Sequence, residues 1–173
     1  HSDHIQQIKT IAHIPIYACQ PMNAVATKKI RPHERVVVNE CVITAFSLSH
    51  DIPTVGYMIQ TRYCKLVCVT DTGYLRESDI ALLHNADFYY VESNYDPTLL
   101  MRSHRPHAVK MRTLSDSGHL SNHDSARYVK AMIGPRTQHV MLAHLSEESN
   151  THGLAMAVHT TAWQREHSHI QLH

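Results

Sequence analysis

Three short apolar runs in this chain each stop on a side chain able to bind a divalent cation, and helix-like stretches separate the second from the third. Residues 41–46 lead into Ser47-Leu48-Ser49-His50-Asp51, residues 66–70 into Asp71-Thr72-Gly73, and residues 139–143 into His144-Leu145-Ser146. Short β-branched runs bounded by polar residues read as strands. Strands alternating with helices predict a layered α/β fold. Side chains at strand ends project into a common rim, so His50, Asp71 and His144 can converge although far apart in sequence. Any one of them could be an ordinary polar strand end. Their recurrence, together with the opening His1-Ser2-Asp3-His4, points instead to a metal site. Imidazoles and carboxylates in that mixture suit hard-to-borderline divalent ions such as Zn or Mn.

The remaining signals place these residues on one domain. A helix is expected at 5–13, with Ile5, Ile8, Ile11 and Ala12 on one face. A short strand follows at 15–19, then a polar connection over 20–34. Strands are expected at 35–38 and 41–47, and a hairpin pairs 56–61 with 65–70 across Arg62-Tyr63. A helix at 77–86 precedes the strand 88–91, which stops at Glu92. A short helix at 96–102 leads to a long basic loop over 103–118. Ser121 caps a helix from Asn122 to about Ile133. The strand 139–143 and a helix at about 151–165 complete the reading.

At 173 residues the chain suffices for one domain with a real core. A net charge of +1 gives no global pull toward nucleic acid. No apolar run approaches membrane-spanning length. The four cysteines lack zinc-ribbon spacing, and Cys64 and Cys68, expected on one strand face, read as small buried hydrophobes. These features lead to the expectation of a reduced, cytoplasmic protein. Of the 17 histidines, His13, His33, His84, His139, His152, His159, His167, His169 and His173 read as surface or local packing residues.

The motif order resembles the metallo-β-lactamase superfamily, and within it the YycJ/WalJ-type hydrolases related to ribonuclease Z. His1-Ser2-Asp3-His4 matches the last four positions of the family's H-x-H-x-D-H motif, and His50, Asp71 and His144 match its later motifs. Glu92-Ser93-Asn94-Tyr95-Asp96 and Ser117-Gly118-His119-Leu120-Ser121-Asn122 are similar to segments that ribonuclease Z-like enzymes place beside their metals. The resemblance implies an αββα sandwich whose N-terminal strands, with the first motif histidine, are missing. Residues 1–173 would then form the C-terminal portion of one domain.

What the resemblance implies chemically is a metal-dependent phosphodiester hydrolase acting on nucleic acid, DNA rather than RNA, in the manner of an exonuclease. It implies two divalent ions sharing a hydroxide, with His1, Asp3, His4, His50, Asp71 and His144 as ligands and Asp71 bridging both. It casts Glu92 and His119 as a proton-transfer pair beside Asp3. Asn94 and Ser121 become candidate substrate contacts. The stretch 101–112 has four formal positive charges and no acid, so Arg102, Arg105, Lys110 and Arg112 are candidate phosphate grips. A small-molecule thioester, lactone or β-lactam hydrolase on the same scaffold, or a catalytically silent metal-binding fragment, stays open at this point.

Overall fold

Alternating burial along the strands puts one sheet face against helices. The structure, a computed structural model, describes residues 15–20 and 27–173. The helix expected at 5–13, and with it His1, Asp3 and His4, lies outside the described residues. Two short strands, β1 (Tyr17–Ala18) and β2 (Lys28–Lys29), pair in parallel. Among the described residues the main sheet has seven strands in sequence order: β3 (Arg35–Val38), β4 (Cys41–Leu48), β5 (Thr54–Gln60), β6 (Lys65–Val69), β7 (Phe88–Glu92), β8 (His139–Ala143) and β9 (Gln171–Leu172). Its first half is an antiparallel meander, and pairing turns parallel from β6 onward. Parallel neighbours need crossovers, which the helices supply.

Those helices are α1 (Glu77–Leu83), α2 (Pro97–Arg102), α3 (His107–Leu114), α4 (Asn122–Met132) and α5 (His152–His159), the last continued by a π-helical turn at Thr160–Gln164. The core is built from Val67, Val69, Tyr89, Val91, Val140 and Leu142 on the sheet, with Leu83, Val129, Met132 and Trp163 from the helical side. The opposite sheet face carries a cross-strand row, Tyr57, Cys68, Tyr90 and Met141, of which Tyr90 and Met141 are exposed. Among the described residues this is one helix-covered sheet of the expected sandwich.

Most expected elements are present with small changes of length. The hairpin runs from Thr54–Gln60 to Lys65–Val69, and the helix expected at 77–86 ends at Leu83. Ser121 accepts the Asp124 N–H and caps α4. Two expectations are corrected. The basic loop at 103–118 contains α3, which follows Pro106 at its cap position. Only Thr113 of α3 is buried, so the helix has no core-facing apolar stripe, the periodic signal by which a helix is read. Cys64 lies in the turn before β6, and neither it nor Cys68 is fully buried. His159, read as a surface or local packing residue, is the latter: it is fully buried beside Trp163, whose Nε1 donates to its Nδ1 at 3.1 Å.

A candidate metal centre at the strand ends

The parallel strands all end on one rim, and the site assembles there. Asp71 follows β6 and His144 follows β8, both with left-handed backbone, φ 61° and 54°. Non-glycine residues take that conformation at a cost, and such strain concentrates at functional positions. His50 lies two residues past the end of β4, and Glu92 is the last residue of β7. His119 comes from the turn between α3 and α4. There, a Cβ on Gly118 would collide with the carbonyl oxygens of Arg112 and Thr113, so only glycine fits. Gly73 is required for a similar reason, because the Asp116 carbonyl lies where its Cβ would be.

Glu92 organises the centre. Its side chain is fully buried, and one oxygen accepts from His119 Nδ1 at 2.6 Å and from His144 Nδ1 at 2.8 Å. The other oxygen accepts the Thr72 backbone N–H at 3.0 Å. Burial by itself would raise this carboxyl, but the bonds from His119 and His144 outweigh it and hold the pKa below the ordinary value. The same bond, from the other side, raises His144 against the opposing effect of burial. Asn94 Nδ2 also comes within 3.3 Å of His144 Nδ1, but that nitrogen donates to the closer carboxylate. The bond Asn94 makes is therefore the one to the His144 carbonyl, at 2.7 Å.

His50 donates its Nδ1 proton to the Gly118 carbonyl at 3.1 Å. With Nδ1 protonated in His50, His119 and His144, each neutral ring keeps its lone pair on Nε2. Those nitrogens meet carboxylates: His50 Nε2 is 3.2 Å from Asp51 and His144 Nε2 is 3.5 Å from Asp71. Either pair is satisfied by a proton on Nε2 or by a metal cation shared with the carboxylate. His50, Asp71 and His119 bring donor atoms within 4.8 Å of one another, as do Glu92, His119 and His144. The donor set therefore fits a divalent ion of the Zn or Mn type.

Beside the centre is an open cavity of about 300 Å³, lined among others by His50, Asn94, Arg105, Arg112, His119 and His144. Of the four cations expected to grip phosphate, Arg105 and Arg112 line it and Arg102 and Lys110 do not. Arg105 pairs with Glu148 at 2.9 Å, and Arg112 pairs with Asp51. Lys110 Nζ donates to the Met101 carbonyl, tying α3 to α2. The Ser121 hydroxyl is committed to Asp124 as a helix cap, not aimed into the cavity. Thr72, Asp51 and the Gly118 carbonyl escaped the reading of the sequence. Asp51 sits beside His50 and could have been noticed, whereas backbone contributions carry no residue signature.

Comparison with known proteins adds to this geometry. The profile of a family described as the beta-lactamase superfamily domain matches residues 1–145. Exodeoxyribonuclease WalJ of Streptococcus pneumoniae is 38% identical over 114 residues, covering 65% of this chain and 42% of that protein. Exodeoxyribonuclease YycJ of Bacillus anthracis is 31% identical over 170 residues, covering 90% of this chain and 64% of that protein. The chain thus spans between about two-fifths and two-thirds of the length of these relatives. The crystal structure of the metallo-beta-lactamase fold protein YhfI from Bacillus subtilis matches 99% of this chain and 58% of its own, with a TM-score of 0.63 and 16% identity. At that identity the likeness shows the fold alone.

Proposed function

The chain belongs to the beta-lactamase superfamily, and from that premise we propose that it is a metal-dependent phosphodiester hydrolase acting on nucleic acid, of the DNA exonuclease kind that its relatives' names denote. The observation that carries the reading is the buried Glu92 carboxylate shared by His119 and His144, next to Asp71 and His50. A surface ion pair has no need of a fully buried acid. A site that must hold imidazole nitrogens toward a cation and a reacting phosphate does.

In this proposal His50, Asp71 and His144 would hold metal together with His1, Asp3 and His4, and Asp71, which lies near His50, His119 and His144, would be the carboxylate shared between two ions. Bound cations would supply water of lowered pKa and offset the negative charge of the phosphate. The chain's own residues do the rest. His119 presents Nε2 to the leaving oxygen, and Glu92 on its Nδ1 stabilises the protonated ring that can release a proton there. Asp3 is the further proposed acid–base group. Asn94 fixes the His144 backbone and faces the cavity. Arg105 and Arg112, each resting on a carboxylate, can exchange it for substrate phosphates. Arg102 and Lys110 add positive charge further out, and Ser121 supports α4, the helix that follows His119.

The test uses end-labelled DNA with Mn or Zn, and binding across a salt series without metal. Replacing Arg102, Arg105, Lys110 and Arg112 by alanine should weaken binding and remove about 0.7–0.9 from the log–log salt slope for each phosphate that is no longer neutralised. Most of the change should already appear in the Arg105→Ala/Arg112→Ala pair, since those two line the cavity. An unaltered slope, or the absence of metal-dependent DNA cleavage by the wild type, would overturn the nuclease reading.

A further inference from the structure

Glu92 can meet two imidazoles only if the chain just beyond β7 is held still, and backbone bonds do part of that work: the Ser93 N–H donates to the Ala143 carbonyl, the Asn94 N–H to the Leu120 carbonyl, and the Ser146 N–H to the Asn94 carbonyl. The β7–β8 ladder ends at the pair Glu92↔Ala143. Past that point the backbone is fastened by buried side-chain amides as well. Asn150 Nδ2 donates to two successive carbonyls, Ser93 at 2.8 Å and Asn94 at 3.1 Å. Asn150 and Asn122 also face each other amide to amide at 2.9 Å in both directions, so the two Asn150 Nδ2 protons are shared among three acceptors. Ser93 Oγ donates to Asn122 Oδ1 at 2.7 Å, and Ser125 Oγ donates to the Glu92 carbonyl. Asn122, Ser93 and Ser125 have no exposed surface, and Asn150 and Asn94 are also buried.

We propose that Asn150, locked by Asn122, is a positioning residue for the centre: it clamps residues 93–94 so that Glu92 reaches His119 and His144, and Asn94 reaches the His144 carbonyl. Neither Asn150 nor Asn122 itself lines the cavity; Asn150 reaches it through the carbonyl of Asn94, which does, so the pair acts through the strand end. A buried network of this kind is fully committed, with every Asn150 side-chain polar atom partnered. Its geometry links three elements: the end of β7, the first residue of α4 and the residue before the α5 cap. A small shift of the clamp therefore moves the acid relative to both rings. The effect on turnover rests on the hydrolase reading; the effect on the hydrogen bonds does not.

The experiment compares Asn150→Ser and Asn122→Ser with Thr137→Ala. Thr137 makes a buried hydrogen bond to the Ala86 carbonyl at the far end of the same sheet, and serves as a control for simple loss of stability. In metal-free protein, proton NMR reads the Nδ1 protons of His119 and His144 against Glu92. In parallel, Mn-dependent hydrolysis of bis(p-nitrophenyl) phosphate gives kcat and KM. Both asparagine variants should shift or broaden the imidazole protons and lower kcat about 100-fold, the scale of a small misplacement remote from the chemistry, with KM nearly unchanged. Thr137→Ala should leave the imidazole protons and kcat alone. Folded asparagine variants with wild-type imidazole signals would overturn the proposal, and so would failure of both to fold, which would make the network a folding element. A wild type that does not hydrolyse the phosphodiester, but whose imidazole protons still respond, would count against the hydrolase reading and leave the clamp standing.

Discussion

Glu92→Gln separates what the carboxylate does by shape from what it does by charge. The carboxylate accepts three bonds: two imidazole Nδ1 protons on one oxygen and the Thr72 N–H on the other. Glutamine fits the same space with one oxygen and one NH₂. If its oxygen faces the histidines, NH₂ meets the Thr72 N–H and two buried donors are left without an acceptor, at about 1–3 kcal/mol. If its oxygen faces Thr72, NH₂ points at the two rings. Each ring must then accept on Nδ1 and carry its proton on Nε2, which in His144 is the nitrogen a metal needs. Loss of such a supporting partner lowers metal affinity about 10–100-fold. Removing a buried charge works in the opposite direction, but this acid already sits below its ordinary pKa, so its burial is well compensated. Urea unfolding of metal-free protein measures the first outcome, and zinc competition against a chromophoric chelator measures the second. A variant with wild-type stability and wild-type zinc affinity would refute the assignment of Glu92 as the shared acceptor.

Asp71→Ala should lower metal content at both proposed ion sites and remove most hydrolysis, with metals counted per chain by elemental analysis. Gly118→Ala drives a Cβ into the Arg112 and Thr113 carbonyls. It should cost about 1–3 kcal/mol in urea unfolding and weaken zinc binding, because the displaced Gly118 carbonyl orients His50. Burial holds His159 at a pKa of about 3 against an ordinary 6.5. Below pH 6.5 the unfolded chain therefore takes up a proton that the folded chain refuses. The stability present above pH 6.5 is lost as pH falls toward 3, and at pH 4.5 the loss reaches about 2.5 kcal/mol. His159→Gln should lose that much less between pH 7 and 4.5 by urea midpoint, and equal losses in the two proteins would contradict it.

Some of this was open to inspection in the residues alone. Short apolar or β-branched runs with polar stops mark β4, β6, β7 and β8, because strands packed in a sheet are rich in such residues and end where polar residues interrupt the run. The same stops single out His50, Asp71, Glu92 and His144, since the C-terminal rim of parallel strands is one place. Ser121 is legible as a cap because capping is local chemistry. The helix α3 is not legible, because it packs almost no face against the core and so leaves no apolar stripe in the sequence.

Tertiary structure alone decided which partners those rim residues take. That one Glu92 oxygen serves both His119 and His144, that Thr72 contributes its backbone and not its hydroxyl, and that Asn150 pairs with Asn122 across 28 positions are all consequences of packing. The sequence determined the residue types and the order of strands and helices, because those depend on neighbours along the chain. The hydrogen-bond partners depend on distances across the fold, and on which of several equally suitable donors the burial of Glu92 leaves within reach.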